Sequence, residues 1–179
     1  LLYGIFILIV NTIASILIGV MLLRFWMQAI RIRPPMPLGE FVYRLSDWLV
    51  LPLRRVFTGV GGYDWASLVG AILVLIVSVL VELGPVTGFA WEILLLASIG
   101  TLFKWIIYAF IGLIIVEAIF SWVNPRADIV PFVRALNAPL LRPIRRVIPL
   151  LGSIDLSPLV ALILLQIALR LVTAWFFPF

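Results

Sequence analysis

The chain has 179 residues, 65% of them hydrophobic and only 12% charged, with a mean hydropathy of +1.28 and a net charge of +5. Soluble domains carry about half apolar and about a quarter charged residues, so this composition leaves too little polar surface to face water, and lipid is the solvent it fits. Cysteine and histidine are both absent, which excludes disulfides, thiolate and imidazole catalysis, and His- or Cys-ligated zinc, haem or iron–sulfur centres. No cofactor, no metal and no enzymatic reaction is expected, and the positive charge is assigned to loops beside anionic phospholipid headgroups, with no nucleic acid as partner.

In chain order, four segments approach the roughly 20 apolar residues of a membrane span: 2–30, 66–83, 90–123 and 159–177. The chain starts at Leu1 with no initiator methionine. Its first apolar stretch far exceeds the h-region of about 7–15 residues of a signal peptide and is read as a span. Spans one and three are too long to cross perpendicularly, so they must tilt, project or break, and Gly100 is the candidate break. The short 84–89 segment (Gly84, Pro85, Gly88) predicts a tight hairpin between spans two and three.

Ten of the thirteen basic residues fall in two connectors, 31–65 and 124–158, and none lies in the hairpin turn. The positive-inside rule places both connectors in the cytoplasm and both termini outside, as expected for a multi-pass protein of the bacterial inner membrane.

The connectors are copies of one another. At an offset of 91, residues 41–69 align without gaps to 132–160 with 12 of 29 identities. Pro52-Leu53-Arg54-Arg55-Val56 matches Pro143-Ile144-Arg145-Arg146-Val147, and Asp64 or Asp155 follows nine residues after the second arginine. Upstream the register slips by five, because Trp26 corresponds to Trp122 and the first connector is longer. Each unit holds two spans, so the copies share an orientation about a pseudo-two-fold axis along the membrane normal. The expected fold is an all-α polytopic membrane protein of about four transmembrane helices in two tandem parallel repeats, 1–84 and 85–179, with amphipathic interfacial connectors.

In the first connector Leu38, Phe41, Val42, Leu45, Trp48 and Leu49 recur at helical spacing, with Glu40, Arg44 and Asp47 opposite. Ile129, Phe132, Val133, Leu136 and Leu140 repeat the pattern. Such helices lie in the headgroup plane with the apolar face down. Pro52 and Pro143 are expected to end regular helix just before each arginine pair. Arg54, Arg55, Arg145 and Arg146 then reach either lipid phosphates or a partner's carboxylates. Asp64 and Asp155 either cap the following spans or bridge back to their own arginines.

Five charges fall within or near the spans, where an unpaired charge costs at least about 2.5 kcal/mol. Depth, counted at about 1.5 Å per residue, puts Arg24 and Glu117 near the connector side, and Glu82, Lys104 and Arg170 toward the other. The expected pairs are Arg24 with Glu117, and Glu82 with Arg170 or Lys104. They serve either to fix the bundle or to line an ion path.

The duplicated P-[LI]-R-R-V segments, each followed by G-x-x-D and a span, resemble the YggT/YlmG family over essentially the whole chain, as repeats at about 5–84 and 99–177. The matching positions are Trp26, Phe41, Pro52, Arg54, Arg55, Gly61 and Asp64, then Trp122, Phe132, Pro143, Arg145, Arg146, Gly152 and Asp155. The two-repeat form is similar to proteobacterial members. The resemblance implies a role in cell division and envelope organisation, osmotic-stress tolerance or assembly of a membrane complex, with no active site to transfer. The first reading is therefore a non-enzymatic scaffold or assembly factor that binds anionic lipid and a partner membrane complex, and a homo-oligomer is compatible with it. The alternative is a small ion or osmotic-stress-related transporter or channel subunit.

Overall fold

The computed structural model describes residues 2–57, 59, 61–148 and 155–177. Among these residues six helices follow one another: α1 (Leu2–Ala29), α2 (Met36–Val56), α3 (Trp65–Thr87), α4 (Trp91–Val123), α5 (Ile129–Val147) and α6 (Ser157–Phe176). Four of them, α1, α3, α4 and α6, are long and apolar enough to cross a membrane. The amphipathic α2 and α5 connect them, so the chain is an all-α, multi-pass membrane protein with the order span, amphipathic helix, span, stated twice.

Within the first repeat α1 packs along α3, and within the second α4 packs along α6. The α3–α4 hairpin and a contact between α1 and α4 join the halves. One core runs through Ile18, Met21, Ala71 and Leu75 to Leu94 and Ala97 of α4. A second is shared by Val20, Met27 and Val42 with Phe132, Val133 and Leu136, so residues of both amphipathic helices join the end of α1 in one apolar cluster. Large apolar side chains such as Leu159, Ile163, Ile167 and Leu171 of α6 point outward. That surface suits lipid, where only the backbone must satisfy itself.

Neither long span breaks. Helix α4 runs through Gly100 for 33 residues, about 50 Å at 1.5 Å per residue against a hydrocarbon core of about 30 Å, so it must tilt or project. Gly100 instead admits α6: a Cβ there would stand 2.5 Å from Phe176 Cβ and 2.8 Å from Phe176 Cγ. The absent side chain is what allows the approach.

The prolines also differ from expectation. Helix α2 continues through Pro52 to Val56, and α5 through Pro139 and Pro143 to Val147. An internal proline frees the carbonyl four residues back and costs about 3 kcal/mol. Here Pro52, Pro139 and Pro143 all lie on exposed flanks, and the carbonyl freed by Pro52 belongs to exposed Trp48. Burial of the opposite flank holds both helices together. Helix α3 likewise passes through Pro85 and ends at Gly88, whose φ of 61° gives the left-handed cap. The carbonyl that Pro85 leaves without a donor is that of Val81, and the Tyr3 hydroxyl donates to it at 3.1 Å. A neighbouring helix thus satisfies the freed group, as lipid requires.

Helix α1 closes in a Schellman turn: Ile32 N–H bonds the Met27 carbonyl at 2.9 Å and Arg31 N–H bonds that of Gln28 at 3.0 Å. The left-handed position of this motif belongs by preference to glycine, yet it holds Arg31 at φ 58°. A side chain there costs about 1–2 kcal/mol.

Candidate functional site

The apolar stripe of α2 splits into two flanks. Gly39, Val42, Ser46 and Val50 are buried, whereas Phe41 and Trp48 are 55% and 61% exposed. Asp47, expected on the solvent side, turns inward to Arg24. In α5 the corresponding Val133, Asn137 and Leu141 are buried, and Phe132 joins them because α5 is wedged against the end of α1. Each amphipathic helix therefore carries one polar residue on its buried flank, Ser46 or Asn137, at the same position of the repeat.

In the first repeat Arg54, on the last turn of α2, grips Asp64 with two prongs: Nη2 donates to Oδ2 at 2.7 Å and Nε to Oδ1 at 3.3 Å. Gly61 and Gly62, at φ 72° and 82°, turn the chain so that Asp64 returns to Arg54, a backbone course open to glycine. Asp64 also caps α3, accepting from Ser67 N–H at 3.4 Å and from Ser67 Oγ at 2.7 Å. The two roles anticipated as alternatives coexist. Arg24 enters from α1, donating from Nε to Asp64 Oδ2 at 3.2 Å and from Nη1 to Ser46 Oγ at 2.7 Å and Asp47 Oδ1 at 2.6 Å. Its guanidinium also lies 4.9 Å from the Tyr43 ring centre. Arg24 and Asp64 are almost wholly enclosed, at 4% and 3% exposure.

The second repeat builds the same bridge with other charges around it. Arg145 Nε donates to Asp155 Oδ2 at 2.8 Å, and Asp155 Oδ1 accepts from Ser157 N–H at 2.9 Å. From α4 comes a carboxylate in place of a guanidinium. Glu117 Oε2 accepts from Asn137 Nδ2 at 2.7 Å, and its Oε1 lies 3.6 Å from Arg145 Nη2. Asn137 also bonds the Leu113 carbonyl at 3.0 Å, while its own carbonyl oxygen has no partner among the described residues. Gly152, counterpart of Gly61, lies outside the described residues.

Burial opposes the charged form of Asp64, but the Arg54 bond, Ser67 and Arg24 outweigh it, and its carboxyl is held below the usual carboxylate range. Asp155 moves the same way: desolvation is overcome by Ser157 and Arg145. The Asp64 hydrogen bond raises Arg54 against its own desolvation.

The expected intramembrane pairs are corrected. Arg24 pairs with Asp47 and Asp64, and Glu117 with Arg145. Glu82 accepts from Asn11 Nδ2 at 3.1 Å. Lys104 places Nζ 3.6 Å from the Phe177 ring centre, and Arg170 is exposed with no ion pair among the described residues. The reason is rotational. Counting along a helix gives depth, whereas pairing depends on which face looks at which neighbour. Ser46 and Asn137 are not among the sequence candidates, although a polar residue within an apolar stripe at i, i+4 spacing is a readable signal.

The second arginine of each pair behaves differently from the first. Arg55 and Arg146 are exposed and make no ion pair among the described residues, as are Pro52 and Pro143 beside them. The two tryptophans of the repeat also part company: Trp26 Nε1 donates to the Leu136 carbonyl at 3.0 Å, tying the repeats together, whereas Trp122 is 90% exposed.

A known family matches both halves of the chain. The CCB3/YggT family matches residues 3–84 and 96–176 of this chain. YggT of Escherichia coli K12 is 34% identical over 163 residues, covering 88% of this chain and 83% of its own. A protein of Pseudomonas aeruginosa is 38% identical over 168 residues, covering 89% and 83%. One of Vibrio alginolyticus is 31% identical over 170 residues, covering 89% and 88%. No solved structure matches. Two family segments, each enclosing one arginine–aspartate bridge, account for nearly the whole molecule, and the chain belongs to the CCB3/YggT family.

Proposed function

We propose that this protein is a non-enzymatic scaffold or assembly factor of the bacterial inner membrane. It presents Arg55 and Arg146, on two equivalent interfacial helices, to anionic headgroups and to a partner membrane complex. One observation carries the reading. In both repeats the first arginine is engaged by its own aspartate, and the second is left exposed without an ion pair among the described residues. A bridge that rigidifies α2 against α3, and α5 against α6, fixes the bearing of the neighbouring outward guanidinium. Preorganised guanidiniums suit phosphate and carboxylate partners. The exposed apolar flank of Phe41 and Trp48 supports an interfacial setting. The basic bias of both connectors favours the cytoplasmic face for them, with the hairpin and both termini opposite.

The test is Arg55→Gln with Arg146→Gln, purified in a mild detergent beside the wild type and analysed by mass spectrometry. The double variant should insert and melt like the wild type and lose the co-purifying membrane complex. Unchanged co-purification would sink the reading. Arg54→Gln and Arg145→Gln, by contrast, should lower stability first.

A further inference from the structure

The two repeats also differ in the length of their connectors. Between Trp26 and Phe41 the first connector carries five residues more than the second has between Trp122 and Phe132. The longer segment holds Arg31 and Arg33, both exposed and without an ion pair among the described residues. These two, with Arg24, Arg54, Gln28 and Tyr43, line a cavity of about 260 Å³ beside the end of α1.

We propose that this cavity binds a phosphate-bearing anion. Four guanidiniums from three different segments line it, and no described carboxylate does. The two acids behind it, Asp47 and Asp64, are already engaged by Arg24 and Arg54. Two positive charges therefore remain uncompensated. Arg24 is 4% exposed, and only its Nε and Nη1 are used. Its Nη2 has no hydrogen bond among the described residues. A largely buried guanidinium whose unused nitrogen is open to a polar cavity offers a donor to an acceptor seated there. Donors arriving from several directions suit the tetrahedral oxygens of a phosphate better than the planar pair of a carboxylate.

The frame is rigid. Gln28 Nε2 donates to the Gly62 carbonyl at 3.2 Å, which ties the Gly-Gly turn to α1. Arg31 occupies the left-handed position of the α1 cap where glycine is preferred. At the edge of the membrane the phosphate is that of an anionic phospholipid headgroup or of a small soluble phosphate ester. The inference deepens the lipid half of the proposed function and does not involve Arg55 or Arg146.

The strained residue supplies the test. Arg31→Gly removes a guanidinium and relieves the backbone, so the fold should survive with an equal or higher melting temperature. Arg33→Gln is the second variant, unstrained and surface-exposed. Lipid-stripped protein in detergent is titrated with short-chain phosphatidylglycerol, phosphatidylcholine and glycerol 1-phosphate, and bound species are counted by native mass spectrometry. Wild type should bind phosphatidylglycerol at least tenfold more tightly than phosphatidylcholine. R31G and R33Q together should lose at least tenfold. The control R126Q with R134Q, equal in charge lost and exposed on the other repeat, should change less than threefold.

Binding of glycerol 1-phosphate with the same residue dependence assigns the site to soluble phosphate as well, and binding of the lipid alone assigns it to the headgroup. Equal loss in both double variants, or no residue-dependent binding of either phosphate, overturns the proposal. Partner capture through Arg55 and Arg146 is scored separately, so either idea can fail without the other.

Discussion

Arg54 and Asp64, ten residues apart, meet in a two-pronged ion pair at 2.7 and 3.3 Å that closes the passage from α2 to α3. The carboxylate is almost fully enclosed, with its side chain 2% exposed, and it serves Arg24 and the N-terminus of α3 as well. Its counterpart Asp155 is 31% exposed and is shared with fewer groups. Removing one partner of a buried pair leaves an uncompensated charge and costs about 3–5 kcal/mol. An exposed pair contributes about 1 kcal/mol or less. Asp64→Asn should therefore lower the melting temperature in detergent far more than Asp155→Asn. Equal effects would mean that burial does not set the strength of the bridge.

Asp64 also predicts an acid limit. Its carboxyl is depressed in the folded protein, so the unfolded chain takes up the proton first and loses nothing by it. The contribution of the bridge is complete above about pH 4, near the unfolded value. It is lost as pH falls through the lower folded value. Stability of the wild type should drop below about pH 4, and that of Asp64→Asn should vary less over the same range. Parallel pH profiles would contradict the assignment.

The Tyr3 hydroxyl on the Val81 carbonyl makes a prediction by rescue. Tyr3→Phe should cost about 0.5–1.5 kcal/mol, the worth of one hydrogen bond. Pro85→Ala restores a backbone donor to the same carbonyl. In that background Tyr3→Phe should cost much less. A double-mutant cycle showing no coupling would rule out this role for Tyr3.

Gly100 predicts a steric defect. Its added Cβ would meet Phe176 Cβ at 2.5 Å, an atom fixed to the backbone of α6 and unable to swing away. Gly100→Ala should cost about 1–3 kcal/mol, the range for overpacking. Gly112, with nothing within 4 Å of its would-be Cβ, is the control, and Gly112→Ala should be tolerated. Comparable melting temperatures for the two variants would show that α6 does not approach α4 this closely.

Much of the architecture is legible in the sequence because hydropathy and repetition are one-dimensional signals. Four spans and two copied connectors need only counting along the chain. Partners on neighbouring helices need rotation as well, and there counting failed: Arg24 and Glu117 share a depth but face different amphipathic helices. Proline misled for a similar reason. Pro52 and Pro85 look like helix ends until the fate of the freed carbonyl is known, and that depends on exposed Trp48 in one case and on Tyr3, 78 positions away from Val81, in the other. The arginine–aspartate bridge lay in between. Both residues stood out by duplication, and only the Gly61-Gly62 turn shows why they meet.

The central claim is that the unpaired arginine of each pair recruits a partner while the aspartate-bound one holds the frame. Val56 and Val147 adjoin Arg55 and Arg146 at equivalent positions and are 75% and 81% exposed. A photo-crosslinking amino acid placed at either, with the arginines intact, samples what lies against them in living cells. The account predicts a discrete protein adduct from both positions, abolished by Arg55→Gln with Arg146→Gln and absent when the probe replaces lipid-facing Ile163 on α6. No adduct at either valine, or an adduct that survives removal of both arginines, would contradict it.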